Sequence, residues 1–471
     1  MATLIVSLIA LGTLAFGAVY PWAYIPLLGA AALIGLIGLL QHGVVPALRP
    51  VAAGLLAITA AVTIQLIPLP PDFVQAISPS TVNMLSRYDL AFVNDGGWHR
   101  LSIDPARTRM ALFALVALGL YVVGLPGLLD GRRLRLLPAA LAFVAVPLAL
   151  FAIYTRQHNN GLIYGFWQPL DGGGADQAGP FINRNHFGGW IVMSLSLMIG
   201  WLLGRIERAL PSTGAERRRK PIVVDDDMGA VLLMGTAIVL GTISVFWVMS
   251  RSAITSLALA MVLFMSLVLK RRSMGNTLRA FVLLSLGIIL VVGVSWRGID
   301  VLARWFLDER SLLSRIDAWR DGWDVVRSFP VFGTGLNTYS PAMLIHQLRN
   351  PQFHMAQAHN DYLQLLAEGG VVVAAAAAVT VMLLIIAVRR TLRAARVEVR
   401  GYWVRAGAAV GLMAIAFQEL VEFSLQIPVN ALLFCTLATI TLTPVHRRTP
   451  AGAELRDNID VGKDTIGVVL S

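Results

Sequence analysis

Apolar stretches of about 20 residues, the length needed to cross a bilayer as a helix, recur from one end of this chain to the other. In hydrocarbon every backbone N–H and C=O must be satisfied within the protein, so a chain of this kind has helices or a closed barrel open to it. Twelve such stretches can be read, the first at 3–19 and the last at 426–443. The count carries an uncertainty of about one, because Pro138 and Pro147 interrupt the fifth. With 14% charged residues, against roughly a quarter in soluble domains, the chain also has too little polar surface for a water-soluble globule. The expected fold is all-α and polytopic. Helices over 1–153 precede a core over 154–443, and a tail follows over 444–471.

A net charge of +11 raises nucleic acid as a partner, but the charge distribution excludes it. With the N-terminus placed in the cytoplasm, 24 of the 38 lysines and arginines fall in the short inward loops and the tail. That is the positive-inside bias, and Arg217-Arg218-Arg219-Lys220 then reads as a topology anchor. The same bias puts three larger loops outside: about 69–108, about 154–186 with Gly172-Gly173-Gly174, and 297–362. An alkaline phosphatase fused near Gly335 should therefore be active and one near Arg217 inactive. The reverse pattern would overturn the orientation. Cys435, the single cysteine, excludes an intramolecular disulfide and a cysteine metal cluster.

The longest loop holds half of the outward arginines, Arg304, Arg315 and Arg320 among them. Ile316, Trp319, Trp323 and Val326 recur at helical spacing, which predicts a helix in the membrane interface ending before Pro330. Ser314 with Asp317 has the spacing of a capping box at its start. Arg251, between two spans with almost no loop, sits where positive charge is disfavoured. Its alternatives are a functional role and snorkelling to the interface. Glu419 and Glu422 share a helix face at about that depth, where a partner arginine is expected. His359 stands at a loop-to-helix junction, and Asn360, Gln364 and Glu368 continue from it as a polar stripe into the membrane. Guanidinium forks suit phosphate oxygens and a histidine suits proton transfer, so these groups fit transfer from a lipid diphosphate to a hydroxyl. The sequence has no P-loop, and its loops have no acidic cluster at metal-ligand spacing, so arginine rather than a metal or cofactor would neutralise the diphosphate. On residues alone, transport stays open beside this chemistry.

Five segments in order resemble the O-antigen ligase/polymerase superfamily. They are Phe181–Phe187, Ser250-Arg251-Ser252, Ser314–Trp319, Phe332–Tyr339 and Ala358–Gly369. The resemblance covers roughly 180–440 and implies a helical glycosyltransferase of the C-type class in the bacterial inner membrane. Its expected activity moves a glycan from undecaprenyl diphosphate to an acceptor hydroxyl at the periplasmic face, without nucleotide sugar or metal. By position, Arg251 and Arg315 (or Arg320) would bind the diphosphate, and His359 would activate or orient the acceptor. Asn185, Tyr339 and Asn360 would shape the site. The leading acceptor is lipid A-core. The alternative is polymerisation of lipid-linked repeat units onto a growing glycan. Transport is the third reading. It is disfavoured because the ionisable groups gather at one face and no internal repeat is visible.

Overall fold

The computed structural model describes residues 1–89, 92, 97–170, 176–209, 228–271, 274–297, 310–349 and 354–443. Gly172–Gly174, Arg217–Lys220, Arg304 and the tail over 444–471 lie outside the described residues. Among those described, the structure is all-helical, with only isolated β-bridges besides.

The helices run in the order α1 (Ala2–Leu14), α2 (Pro21–His42), α3 (Arg49–Ile64), α4 (Pro71–Ile77), α5 (Pro79–Tyr88), α6 (Pro105–Leu128), α7 (Gly131–Gln157) and α8 (Arg184–Ala209). They continue with α9 (Met228–Trp247), α10 (Arg251–Lys270), α11 (Asn276–Arg297), α12 (Arg310–Ser328), α13 (Tyr339–His346), α14 (Asp361–Ala394), α15 (Val399–Gln418) and α16 (Pro428–Leu442). Each of the twelve apolar stretches is helical. Eight helices among the described residues are long and apolar enough to cross a membrane, while α1 and α16 are shorter apolar helices. The protein is a polytopic helical membrane protein.

Because lipid tails give helices no hydrophobic reason to associate, close packing has to do so. Between α2 and α6 it depends on glycine: a Cβ on Gly124 would lie 1.8 Å from the Gly35 carbonyl oxygen. At the centre runs α8, with Trp190, Ile191 and Met193 fully buried. Pro138 and Pro147 do not interrupt α7, which runs through both.

Two features of the long loop differ from expectation for physical reasons. Helix α12 already runs at Arg310, so Ser314 lies inside it rather than at its start. Its buried face is Ala318, Asp321 and Val325, continued by Phe329 just after it and packed toward α13 and α14, while Trp323 on the predicted stripe stays 45% exposed. Asp321 tolerates burial because Arg349 pairs with it at 2.5 Å.

Helix α14 is broken at Gly370, whose φ of +60° is open to glycine at little cost. A break in a spanning helix frees backbone groups that lipid cannot satisfy. Loop 330–335 satisfies them. Thr334 and Gly335 donate to the carbonyls of Ala367 and Glu368, and the N–H groups of Val371 and Val372 donate to Pro330 and Val331. The approach is so close that a Cβ on Gly333 would meet the Glu368 oxygen at 2.2 Å. From the N-terminal half, Gln65 locks this junction. Its amide nitrogen donates to Phe332 and Glu368 carbonyls at 2.6 and 2.9 Å, and its oxygen accepts from Leu336 N–H at 3.0 Å.

Candidate active site

The ends of α8, α10, α14 and α15 meet at Glu422. Helix α15 stops at Gln418, and the chain turns through a short 3₁₀ segment, Ser424–Gln426, before Pro428 opens α16. Glu422 lies in that turn and is 1% exposed. Its Oε1 accepts from Arg315 Nη2 at 2.6 Å and from Asn185 Nδ2 at 2.8 Å, with Ser252 Oγ at 3.4 Å. Its Oε2 faces His359 Nδ1 at 3.6 Å, longer than a normal hydrogen bond. Burial opposes the charge on Glu422, but His359 and the Arg315 guanidinium outweigh it and hold the carboxyl below its ordinary range. It is a carboxylate bonded to an arginine on one side and facing a histidine on the other.

Asn185 connects this anion to α10. Its Oδ1 accepts from Ser250 Oγ at 2.8 Å, and Ser250 in turn caps the start of α10 through Ala253 N–H. Arg251 is the first residue of that helix and half-buried, with both neighbouring serines reaching the network. Gln418 fixes the α8 side by donating to the Asn185 carbonyl at 2.9 Å.

His359 adopts φ +48°, left-handed backbone that costs a non-glycine residue roughly 1–2 kcal/mol. Its neighbour Ala358 is clamped on both sides, its N–H by Gln364 Oε1 at 2.9 Å and its carbonyl by Trp319 Nε1 at 3.0 Å. The strained turn is held by these bonds and by Asn360, which caps α14 through Leu363 N–H at 3.0 Å. The imidazole rests edge-on against Phe423, centroids 4.9 Å apart, and keeps 28% of its side chain exposed. Beside it Arg315 keeps 23%. Both side chains therefore present an open edge beside a buried carboxylate.

The structure thus brings Arg315, Asn185 and His359 to one carboxylate, with Arg251 at the adjoining helix start. Three other candidates stand apart. Arg320 is 64% exposed and pairs with Asp317 on its own helix at 3.4 Å. Asn360 is a helix cap. Tyr339 is buried, its N–H donating to Glu368 Oε1 at 2.9 Å and its hydroxyl to the Ala318 carbonyl at 3.4 Å. Glu419 sits against the carboxyl of Asp361 rather than an arginine. Sequence reasoning missed Gln65, His186 and Phe423. A glutamine interrupting an apolar run was the one available sign of Gln65.

A comparison with protein families matches residues 236–378 to a model described as O-antigen ligase. That stretch includes Arg251, Arg315, Tyr339 and His359, while Asn185 and Glu422 flank it on either side. No curated protein matches the chain.

Proposed function

We propose, from the premise that residues 236–378 form an O-antigen ligase domain, that this protein joins a finished glycan to lipid A-core. The donor is undecaprenyl-diphosphate-linked, and the reaction takes place at the periplasmic face of the inner membrane. The observation that supports this most is that Arg315 and His359 meet at one buried carboxylate, that of Glu422. Arg315 and Arg251 present guanidinium forks to the diphosphate, whose charge grows as it leaves. The acceptor oxygen bonds to the anomeric carbon from the opposite side while the carbon–oxygen bond to the diphosphate breaks, its electron pair departing with the diphosphate. Glu422 beside Nδ1 favours the tautomer with the proton there, leaving Nε2 to take the acceptor hydroxyl proton. Arg320, turned to solvent and paired with Asp317, is not the second diphosphate ligand in this reading. With arginines serving the leaving group, no divalent metal is required.

A polymerase would use the same chemistry on a lipid-linked acceptor, and a deletion strain separates the two. Loss of this protein should abolish capped core and accumulate lipid-linked polymer. Core carrying single repeat units would show a polymerase instead.

A further inference from the structure

A cavity of about 810 Å³ lies beside the site, and Phe423, against which His359 packs, is part of its wall. One wall is apolar and comes from the N-terminal half, with Tyr24, Met110, Ala114 and Leu118. The other is polar: Asp361, Gln364, Glu368 and Gln426 line it, with His186 beside them. No lysine or arginine is among the lining residues. A diphosphate would meet two carboxylates there and no compensating cation, so this is not where the leaving group sits.

The polar wall is a connected array. Gln364 Nε2 donates to Gln357 at 2.7 Å, to Glu368 at 3.0 Å and to Gln426 at 3.3 Å, and Gln426 donates to Asp361 Oδ1 at 2.6 Å. Beside it, His186 is 6% exposed, and its Nε2 has no hydrogen-bond partner among the described residues. His186 is thus a buried imidazole at the cavity wall whose Nε2 is left without a bond, a cost that the rest of the site has to carry. Both His186 and His359 pack edge-on against Phe423, at 4.6 and 4.9 Å between centroids, so the cavity and the proposed base share one aromatic wall.

We infer that this cavity holds an uncharged sugar ring of the acceptor. Carboxylates and amides accept from its hydroxyls, and the apolar wall meets its C–H face. The assignment rests on the transfer reading above. It places the arginines, Glu422, His359, Phe423 and the acceptor sugar in that order across the site, so the hydroxyl arrives opposite the leaving diphosphate. The polar stripe that runs from His359 into the membrane is then the acceptor's binding wall. Glu368 both contributes to it and, through its bonds to the Asn337 and Tyr339 N–H groups, anchors the loop after Gly335.

The test uses full-length protein in nanodiscs, with two variants away from the arginine–histidine cluster. Ala114→Phe fills the cavity from α6, and Gln426→Leu removes a wall amide that makes no bond to the His359 turn; thermal melting establishes that both fold. The donor is lipid-linked glycan and the acceptor is rough lipopolysaccharide, both extracted from a strain lacking this protein. In each variant the acceptor KM should rise by about tenfold or more, through lost cavity volume in the first and a lost hydrogen bond in the second, with the donor KM unchanged. A rise in the donor KM alone, or no change in either, would overturn the assignment. Core oligosaccharide released by mild acid gives a second measurement that needs no turnover. Calorimetric binding present in wild type and lost in Ala114→Phe supports the cavity even if transfer itself fails, and equal binding or none overturns it. Linkage analysis of the product should find the new bond on a ring without phosphate or carboxylate; a charged ring there would contradict the inference.

Discussion

His359→Ala is expected to cut single-turnover glycan transfer by about 10²–10⁴-fold, the usual worth of general-base assistance. Donor binding should stay unchanged, because the diphosphate contacts are assigned to Arg251 and Arg315. The expectation rests on position. His359 is partly open, is fixed by the bonds on Ala358 and Asn360, and has Nδ1 turned to Glu422. Loss of donor binding in this variant would make the histidine a diphosphate ligand and leave the base unidentified. No change in either quantity would make His359 structural, a hinge for the turn into α14.

The second large effect concerns the buried ion pair. Glu422→Met or Arg315→Met alone strands the remaining partner. Breaking a buried pair in this way typically costs about 3–5 kcal/mol. The 23% exposure of Arg315 places Glu422→Met toward the lower end, since water can still reach the freed guanidinium. Removing both charges together relieves that penalty, so the double variant Arg315→Met/Glu422→Met should recover much of the lost thermal stability. It should remain inactive, because neither the diphosphate contact nor the orienting carboxylate returns. Recovery of activity along with stability would show the pair to be a structural bridge only. Additive destabilisation would show that the two side chains do not depend on each other.

Much of this architecture is legible in the sequence because lipid imposes a simple rule on composition. Each apolar stretch became a helix, and the proline-interrupted fifth did so as well, since neighbouring helices and local adjustment re-satisfy backbone that proline frees. Glu422 required an arginine on energetic grounds, yet nothing local singled out Arg315, 107 positions earlier. Choosing between Arg315 and Arg320 needed the rotation of α12 about its axis. That rotation is set by burial of Ala318, Val325 and Phe329 against α13 and α14 rather than by the tryptophan stripe. The break at Gly370 was invisible for a related reason: it is tolerable only because loop 330–335 docks against it. Gln65 shows the limit most plainly. A single amide in an apolar run carries no motif, but it bonds two backbone groups of the loop after Pro330 and one of α14 beside its break.

The central claim is tested most directly by reconstitution. Purified protein in liposomes receives radiolabelled undecaprenyl-diphosphate-linked glycan and rough lipopolysaccharide, with no nucleotide sugar and with chelator present. The account predicts label moving into slower-migrating lipopolysaccharide, with one free undecaprenyl diphosphate released for each glycan transferred. Label that stays on the lipid carrier, whether unchanged or extended by further repeat units, would contradict it.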